Sequence, residues 1–230
     1  MILQIVASAL FQVAARPTPA PTPTPVPGEV RVTVTVYGPD QKKSLGAGAV
    51  VWIPGAKPVG PHAAAKPQLA SQNKRFTPRV LAVPVGTTVD FPNLDRIHHN
   101  VFSLSEKAKF DLGLYKNGAS KPWKFEQPGV VRIFCNIHPQ MAAFVMVVDG
   151  EVYATAGPDG VAVLTNVPPG KKSVKVWDER GGEWSGTVDV AAGRSVPIAV
   201  TLDGSAFREA PHKNKYGKDY PPPDDDENRY

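Results

Sequence analysis

Alternating valines constrain the fold of this chain more than any other feature of its 230 residues. Four of them are separated by single polar residues: Val30, Val32, Val34 and Val36. Strict alternation is typical of a β-strand that buries one face. Further runs rich in Val, Ile, Thr and Phe follow between Pro- and Gly-containing turns, and 42% of the residues are hydrophobic, enough to fill a core. The pattern therefore predicts an all-β protein.

The predicted strands fall into two groups, which we assign to a larger and a smaller β-sandwich. The larger domain is expected at 29–148, with later strands at 47–53, 80–91, 130–135 and 143–148. The smaller domain is expected at 149–203, with strands at 151–155, 161–165, 173–178, 183–190 and 195–202. Residues 204–230 are charged and poor in apolar side chains, which predicts a disordered tail with a solvated His212.

The N-terminal segment predicts export. Residues 1–15 are mostly apolar, carry no charge and end in small residues, as in a signal peptide. An uncleaved anchor, with association at the membrane surface, is the alternative. Residues 16–28 alternate Pro with Thr and Ala, a composition typical of an extended linker. We therefore expect a periplasmic or secreted protein.

One short loop concentrates side chains that bind soft metals. The only cysteine, Cys135, is followed by His138 and Met141, and His99 offers a second imidazole at the end of a strand-like run. Thiolate and imidazole ligands with a weak thioether describe a type 1 copper site. A lone cysteine in an exported protein is also best explained by burial or by metal binding. The sequence therefore predicts one copper ion held by these four residues.

Other interpretations of the same residues are open. Cys135 and Met141 could be core filler, since free cysteine is often buried. Zinc could occupy the same ligands, although methionine is a poor zinc ligand. His98 competes with His99, but parity with the apolar residues 97 and 101 places His99 on the inner face. The same parity places Cys135 inside, with the apolar residues two and four positions before it.

These motifs together resemble the cupredoxins, the family of small blue copper proteins that includes plastocyanin and amicyanin. The resemblance is carried by VGTTV at 85–89, FPN at 91–93, HNVFS at 99–103 and CNIHPQM at 135–141. It covers about residues 29–148 and implies a Greek-key β-sandwich. It also implies ligation through Nδ1 of His99 and His138, through Cys135 and through a long axial bond to Met141. Asn100, next to the first ligand, is expected to join the ligand loops by hydrogen bonds.

The resemblance implies a one-electron carrier that docks on redox proteins. In the family, the edge of the loop histidine reaches the surface within an apolar patch. Here Ile137, Pro139 and Ala142 would form that patch around His138. The formal charge of +5 favours an acidic partner surface. Nucleic acid is not expected, because the Lys and Arg residues are scattered through loops.

Residues 149–203 resemble carboxypeptidase-regulatory-like or transthyretin-like β domains, on GPDG at 157–160 and VPPG at 167–170. This resemblance implies a non-catalytic binding or scaffolding module. These residues offer no paired carboxylates, Ser–His set or phosphate loop, and the sequence lacks the several His-x-His pairs of a multicopper oxidase, so we predict that the protein is not an enzyme. Two alternatives to the electron carrier are a periplasmic copper carrier or chaperone, and a structural β module that the metal stabilises.

Overall fold

The computed structural model of the chain describes residues 25–60, 66–208 and 212–220. Within these ranges every regular element is a β-strand, which confirms the predicted all-β class. The described residues include no helix long and apolar enough to cross a membrane. The predicted signal peptide at 1–15 and residues 16–24 of the linker lie outside the described ranges.

Seventeen strands occur in the described ranges. They are β1 Gly28–Tyr37, β2 Lys43–Leu45, β3 Val50–Ile53, β4 Ala70–Gln72, β5 Arg75–Thr77, β6 Val80–Pro84, β7 Thr87–Pro92, β8 His99–Ser105, β9 Ala108–Tyr115, β10 Ser120–Phe125, β11 Gly129–Phe134, β12 Ala142–Val148, β13 Val152–Thr155, β14 Val161–Val167, β15 Gly170–Asp178, β16 Gly182–Val190 and β17 Ser195–Asp203. The turn between β6 and β7 contains Gly86, whose φ of 86° favours glycine. Strands β9 and β10 occupy a region for which the alternation predicts none.

Strands β1–β3 and β13–β17 form one β-sandwich, which we call the outer sandwich. One sheet has the order β14-β1-β17, with β2 beside β1, and the other has the order β13-β3-β15-β16. The alternating valines of β1 are at most 1% exposed and pack in a core with side chains such as Leu164 and Val176. The period of two therefore determined the buried face of β1 as predicted.

The predicted domain boundaries are wrong at the N-terminal side. Strand β1 pairs in parallel with β17 along its length, from Glu29↔Ser195 to Tyr37↔Asp203, and β3 pairs with both β13 and β15. Residues 28–53 therefore belong with residues 152–203, and not with the loop 135–141. The physical reason is that alternation identifies the buried face of a strand but carries no information about which distant strand will pair with it.

Strands β4–β12 form a second body, the inserted unit, which interrupts the outer sandwich. Its main sheet has the order β6-β12-β11-β8-β9, and β7 pairs with β10 opposite it. Residues from both layers share one core, including Phe91, Phe125, Val131 and Ile133, each fully buried. This arrangement is consistent with the cupredoxin-like sandwich that the sequence predicts, over a shorter range than 29–148.

The two bodies pack together through a third apolar cluster. Trp52 and Trp177 from the outer sandwich lie against Met146 and Val148 from β12. The Trp52 indole N–H donates to Asp149 Oδ1 at 2.7 Å. On the same side Arg79 Nε donates to both carboxylate oxygens of Glu179, at 3.2 and 2.9 Å. The outer sandwich thus packs against the main sheet of the inserted unit. The loop 135–141, which carries the predicted ligands, joins strands β11 and β12 of that sheet.

The predicted disorder of residues 204–230 is wrong for residues 212–220, which we call the C-terminal strap. These residues lie on the inserted unit and form hydrogen bonds with it, for example between the Tyr220 hydroxyl and the Cys135 carbonyl. Composition missed the strap because polar contacts and aromatic stacking hold it, and low apolar content does not reveal them.

Candidate metal centre

Two strand ends meet at one edge of the inserted unit. Strand β11 ends at Phe134, and the loop 135–141 leads into β12, while β8 begins at His99. Strand β11 pairs antiparallel with β12 and, at Phe134↔Phe102, with β8. Because β8 and β11 run in opposite directions, the start of one lies beside the end of the other. The chain thereby brings His99 to the ligand loop across 36 residues of sequence.

The ligand loop is closed by its own backbone. The Cys135 N–H donates to the Met141 carbonyl at 3.2 Å, and the Met141 N–H donates to the His138 carbonyl at 3.0 Å. These two bonds hold the loop in a tight turn between two strands of the same sheet. The turn places the Cys135 and His138 side chains together on the side where His99 lies.

The side chains of His99, Cys135 and His138 lie at the distances from one another that a metal site requires. The Cys135 Sγ lies 3.9 Å from Nδ1 of His99 and 3.6 Å from Nδ1 of His138, and the three ligand atoms lie within 4.8 Å of one another. Metal bonds of about 2.0 Å to nitrogen and 2.3 Å to sulfur, at tetrahedral to trigonal angles, separate the sulfur from each nitrogen by about 3.5 to 3.7 Å. The two sulfur–nitrogen distances therefore fit one metal ion held between Cys135 and the two histidines.

Burial keeps both imidazoles in the form that binds a metal. Cys135 and His99 are 0% exposed, and His138 is half-buried. Burial lowers the pKa of His99, against the pull of Asp95, and lowers the pKa of His138 to about 4. Burial also raises the pKa of the Cys135 thiol, although nearby backbone N–H groups oppose the shift. Both rings are thus neutral at neutral pH, and the thiolate is formed when a metal replaces the thiol proton.

Met141 is the fourth predicted ligand. Its side chain is 0% exposed and packs in the same core cluster as Cys135. The backbone bonds that join Met141 to Cys135 and His138 hold it at the end of the loop. Met146, in contrast, lies between the inserted unit and the outer sandwich, so it is core, as the sequence predicts.

Asp95 is a site residue that the sequence reasoning missed. Its Oδ2 lies 2.8 Å from Nε2 of His99, and its two oxygens accept the backbone N–H groups of Asn73 and Lys74 at 2.6 and 2.9 Å. Burial alone would raise the pKa of Asp95, but these hydrogen bonds outweigh it, and the pKa lies below its usual value. A carboxylate on the outer nitrogen of a histidine ligand fixes the ring and its tautomer. The one feature of the sequence that could have predicted this contact is the position of Asp95, four residues before His99.

Asn100 links the two segments that carry ligands. Its Oδ1 accepts the N–H of Asn136 at 3.3 Å, and its Nδ2 donates to Asp111 Oδ1 at 2.6 Å. Asn100 follows His99 in the chain and Asn136 follows Cys135. The hydrogen bond between them therefore ties the two ligand positions together, and Asp111 extends the link to β9.

The remaining predicted residues lie near His138 in the chain. Ile137 and Ala142 are half-buried and Pro139 is exposed, and each is within four positions of the half-buried His138. His98 is exposed and is not part of the ligand cluster, whereas its neighbour His99 is buried within it.

No protein-family model matches this sequence, and no curated protein matches it. Among solved structures, similarity is found to a Cu-containing nitrite reductase (NirK) from Thermus scotoductus SA-01, with 27% identity and a TM-score of 0.34. That match covers 40% of this chain and spans only a quarter, 25%, of the reductase. A purple cupredoxin from Nitrosopumilus maritimus is 28% identical, with 35% of this chain and 98% of that one covered and a TM-score of 0.32. A reduced mutant of amicyanin is 24% identical, with 37% and 85% covered and a TM-score of 0.34.

Proposed function

We propose that this chain is an exported type 1 copper protein of the cupredoxin type that carries single electrons between redox partners. The observation that carries the proposal is the approach of Cys135 Sγ to the Nδ1 atoms of His99 and His138, all within 4.8 Å, at a buried loop that also carries Met141. One thiolate and two imidazoles with a thioether nearby are the donors of a blue copper site, and the thioether argues against zinc.

Copper held by these residues supplies one-electron chemistry between Cu(I) and Cu(II). The chain's own residues prepare the site for that chemistry. The buried Cys135 and His99 exclude water, Asp95 orients the His99 ring, and Asn100 holds the two ligand segments in a fixed relation. Ligands that are held in this way move little when the charge of the centre changes, which suits rapid electron exchange.

His138 provides the route to the surface in this proposal. Its ring is half-buried, and the apolar residues Ile137, Pro139 and Ala142 lie within four positions of it in the chain, which supports an apolar docking patch here. A small apolar contact of this kind suits a carrier that must release its partner quickly. We further propose that the outer sandwich is a non-catalytic scaffold of the carboxypeptidase-regulatory-like type, and that the protein is not an enzyme.

The proposal is tested by titrating the full chain with Cu(II) and recording optical and electron paramagnetic resonance spectra. We expect a strong visible thiolate-to-copper band with narrow copper hyperfine splitting, both lost in Cys135→Ser. Met146→Leu is the matched control, because Met146 is a buried sulfur residue outside the ligand loop. A colourless copper complex, or equal binding without the thiol, would contradict the proposal.

The same preparation separates the two alternative functions. Transfer of the metal to a metal-free acceptor protein faster than electron exchange would favour a copper carrier or chaperone. A bound metal that shows no voltammetric response but raises the unfolding temperature would favour a structural module.

A further inference from the structure

The C-terminal strap lies directly on the end of the strand that carries the cysteine ligand. The Tyr220 hydroxyl donates to the Cys135 carbonyl at 2.7 Å. The His212 ring stacks on Phe134, with ring centroids 4.0 Å apart and an interplanar angle of 22°. The Tyr220 ring meets His212 edge-on at 5.2 Å. The C-terminal strap therefore contacts residues 134 and 135 directly, through one ring stack and one hydrogen bond.

A closed ring of hydrogen bonds joins the strap to both ligand segments. Asn136 donates its N–H to Asn100 Oδ1 at 3.3 Å, and Asn100 Nδ2 donates to Asp111 Oδ1 at 2.6 Å. Lys215 Nζ donates to Asp111 Oδ2 at 2.7 Å, and the Lys215 backbone N–H donates to Asn136 Oδ1 at 3.0 Å. Lys215 closes the ring, so the relation between the His99 and Cys135 segments depends on a residue of the strap.

The ion pair between Lys215 and Asp111 stabilises the charged form of both side chains. Burial would raise the pKa of Asp111, but the bond from Lys215 and those from Gly113 and Asn100 outweigh it and lower the pKa. The bond to Asp111 raises the pKa of Lys215. The side chains of Lys215 and Asp111 are 24% and 38% exposed, so water screens their attraction only in part.

The strap has its own folded shape. Asn214 donates its backbone N–H to the Lys218 carbonyl at 2.9 Å, and its side-chain Oδ1 accepts the N–H groups of Tyr216 and Lys218. Gly217 has a φ of 73°, a value that favours glycine. The turn therefore presents Lys215 and Tyr220 to the inserted unit from a preorganised backbone.

We propose that the C-terminal strap is part of the metal centre, and that Lys215 and Tyr220 are positioning residues that hold the Cys135–Asn136 peptide in its ligand geometry. The proposal rests on the proposed function, since it assigns the strap to the same copper site. In this proposal, neither Lys215 nor Tyr220 binds the metal. They restrict the motion of the loop that does, so that ligand geometry and reduction potential depend on a segment 79 to 85 residues further along the chain.

The first test uses the metal-free protein and the hydrogen exchange of the Asn136 amide, measured by NMR. Losing one net hydrogen bond corresponds to about a fivefold shift in a local opening equilibrium. We therefore expect exchange to be about fivefold faster in Tyr220→Phe and in Lys215→Met. Lys218→Met removes the same charge from the same strap without removing a described side-chain contact, and should match the wild type. Lys215→Arg keeps the cation and should restore slow exchange.

The second test uses the copper-loaded protein. We expect Tyr220→Phe and Lys215→Met to change the copper hyperfine splitting and the reduction potential, while Lys218→Met leaves both at wild-type values. Tyr220→Phe changes no charge, so a shift in its potential cannot come from long-range electrostatics.

The outcomes separate this proposal from the proposed function. Strap variants that match the wild type in Asn136 exchange, or that exchange faster with an unchanged spectrum and potential, would overturn the positioning role while the blue centre stands. A wild-type protein that forms no blue centre would end the proposed function. In that case, faster Asn136 exchange still supports the grip of the strap on the loop, and unchanged exchange refutes it.

Discussion

Replacing Asp95 with asparagine should raise the reduction potential of the copper-loaded protein. Asp95 is ionised at neutral pH, because hydrogen bonds hold its pKa below the usual value, and its Oδ2 lies 2.8 Å from the outer nitrogen of His99. Asparagine keeps an oxygen that can accept from His99 but removes the negative charge. That charge stabilises Cu(II) more than Cu(I), because Cu(II) carries one more positive charge.

The size of the shift follows from the distance. The 2.8 Å contact, the imidazole ring and a metal–nitrogen bond of about 2 Å place the carboxylate roughly 6.5 Å from a metal bound at Nδ1. At an effective dielectric constant of about 20, two unit charges at that distance interact by about 2.5 kcal/mol. One electron moved through 100 mV corresponds to about 2.3 kcal/mol. The Asp95 side chain is 14% exposed, so water screens part of this, and we expect an increase of about 50 to 100 mV.

Voltammetry at pH 7 of the wild type and Asp95→Asn measures the shift directly, once the visible band shows that copper is bound in both. Asp159→Asn is the matched control, because Asp159 lies in an exposed turn of the outer sandwich. An unchanged or lower potential in Asp95→Asn, with the blue band retained, would refute the electrostatic reasoning.

Four further outcomes are expected. Met141→Leu should keep copper and raise the potential in voltammetry, because losing a weak donor destabilises Cu(II) more than Cu(I); Met146→Leu should not. Ile137→Lys should slow electron transfer to a redox partner in stopped-flow measurements without altering the copper spectrum. The metal-free protein should lose thermal stability as the pH falls from 6.5 towards 4, because the unfolded chain takes up a proton before His138, whose folded pKa is about 4; His138→Gln should weaken this dependence. Leu164→Ala, in the outer core, should cost about 2–5 kcal/mol in denaturant unfolding and leave the blue band intact.

Local patterns in the sequence predicted most of the strands, because each depends on near neighbours. Alternation placed the inner face of β1, and parity placed Cys135 inside with Val131 and Ile133, all three 0% exposed. The same patterns failed at the domain boundary. Pairing of β1 with β17 is a contact between residues more than 160 positions apart, and a free energy that depends on two distant strands has no local signature.

The candidate site divides in the same way. The sequence by itself determined the four ligand candidates, because three lie in one seven-residue loop whose donor chemistry is specific and parity with the apolar residues 97 and 101 selects the fourth. Only the tertiary structure decided what holds them: the carboxylate of Asp95 on His99, the ring from Asn100 through Asp111, and the strap that brings Lys215 and Tyr220 to the loop. Ligand identity is a property of side-chain chemistry, which a sequence displays. The supporting contacts arise only when separate segments meet in the folded chain.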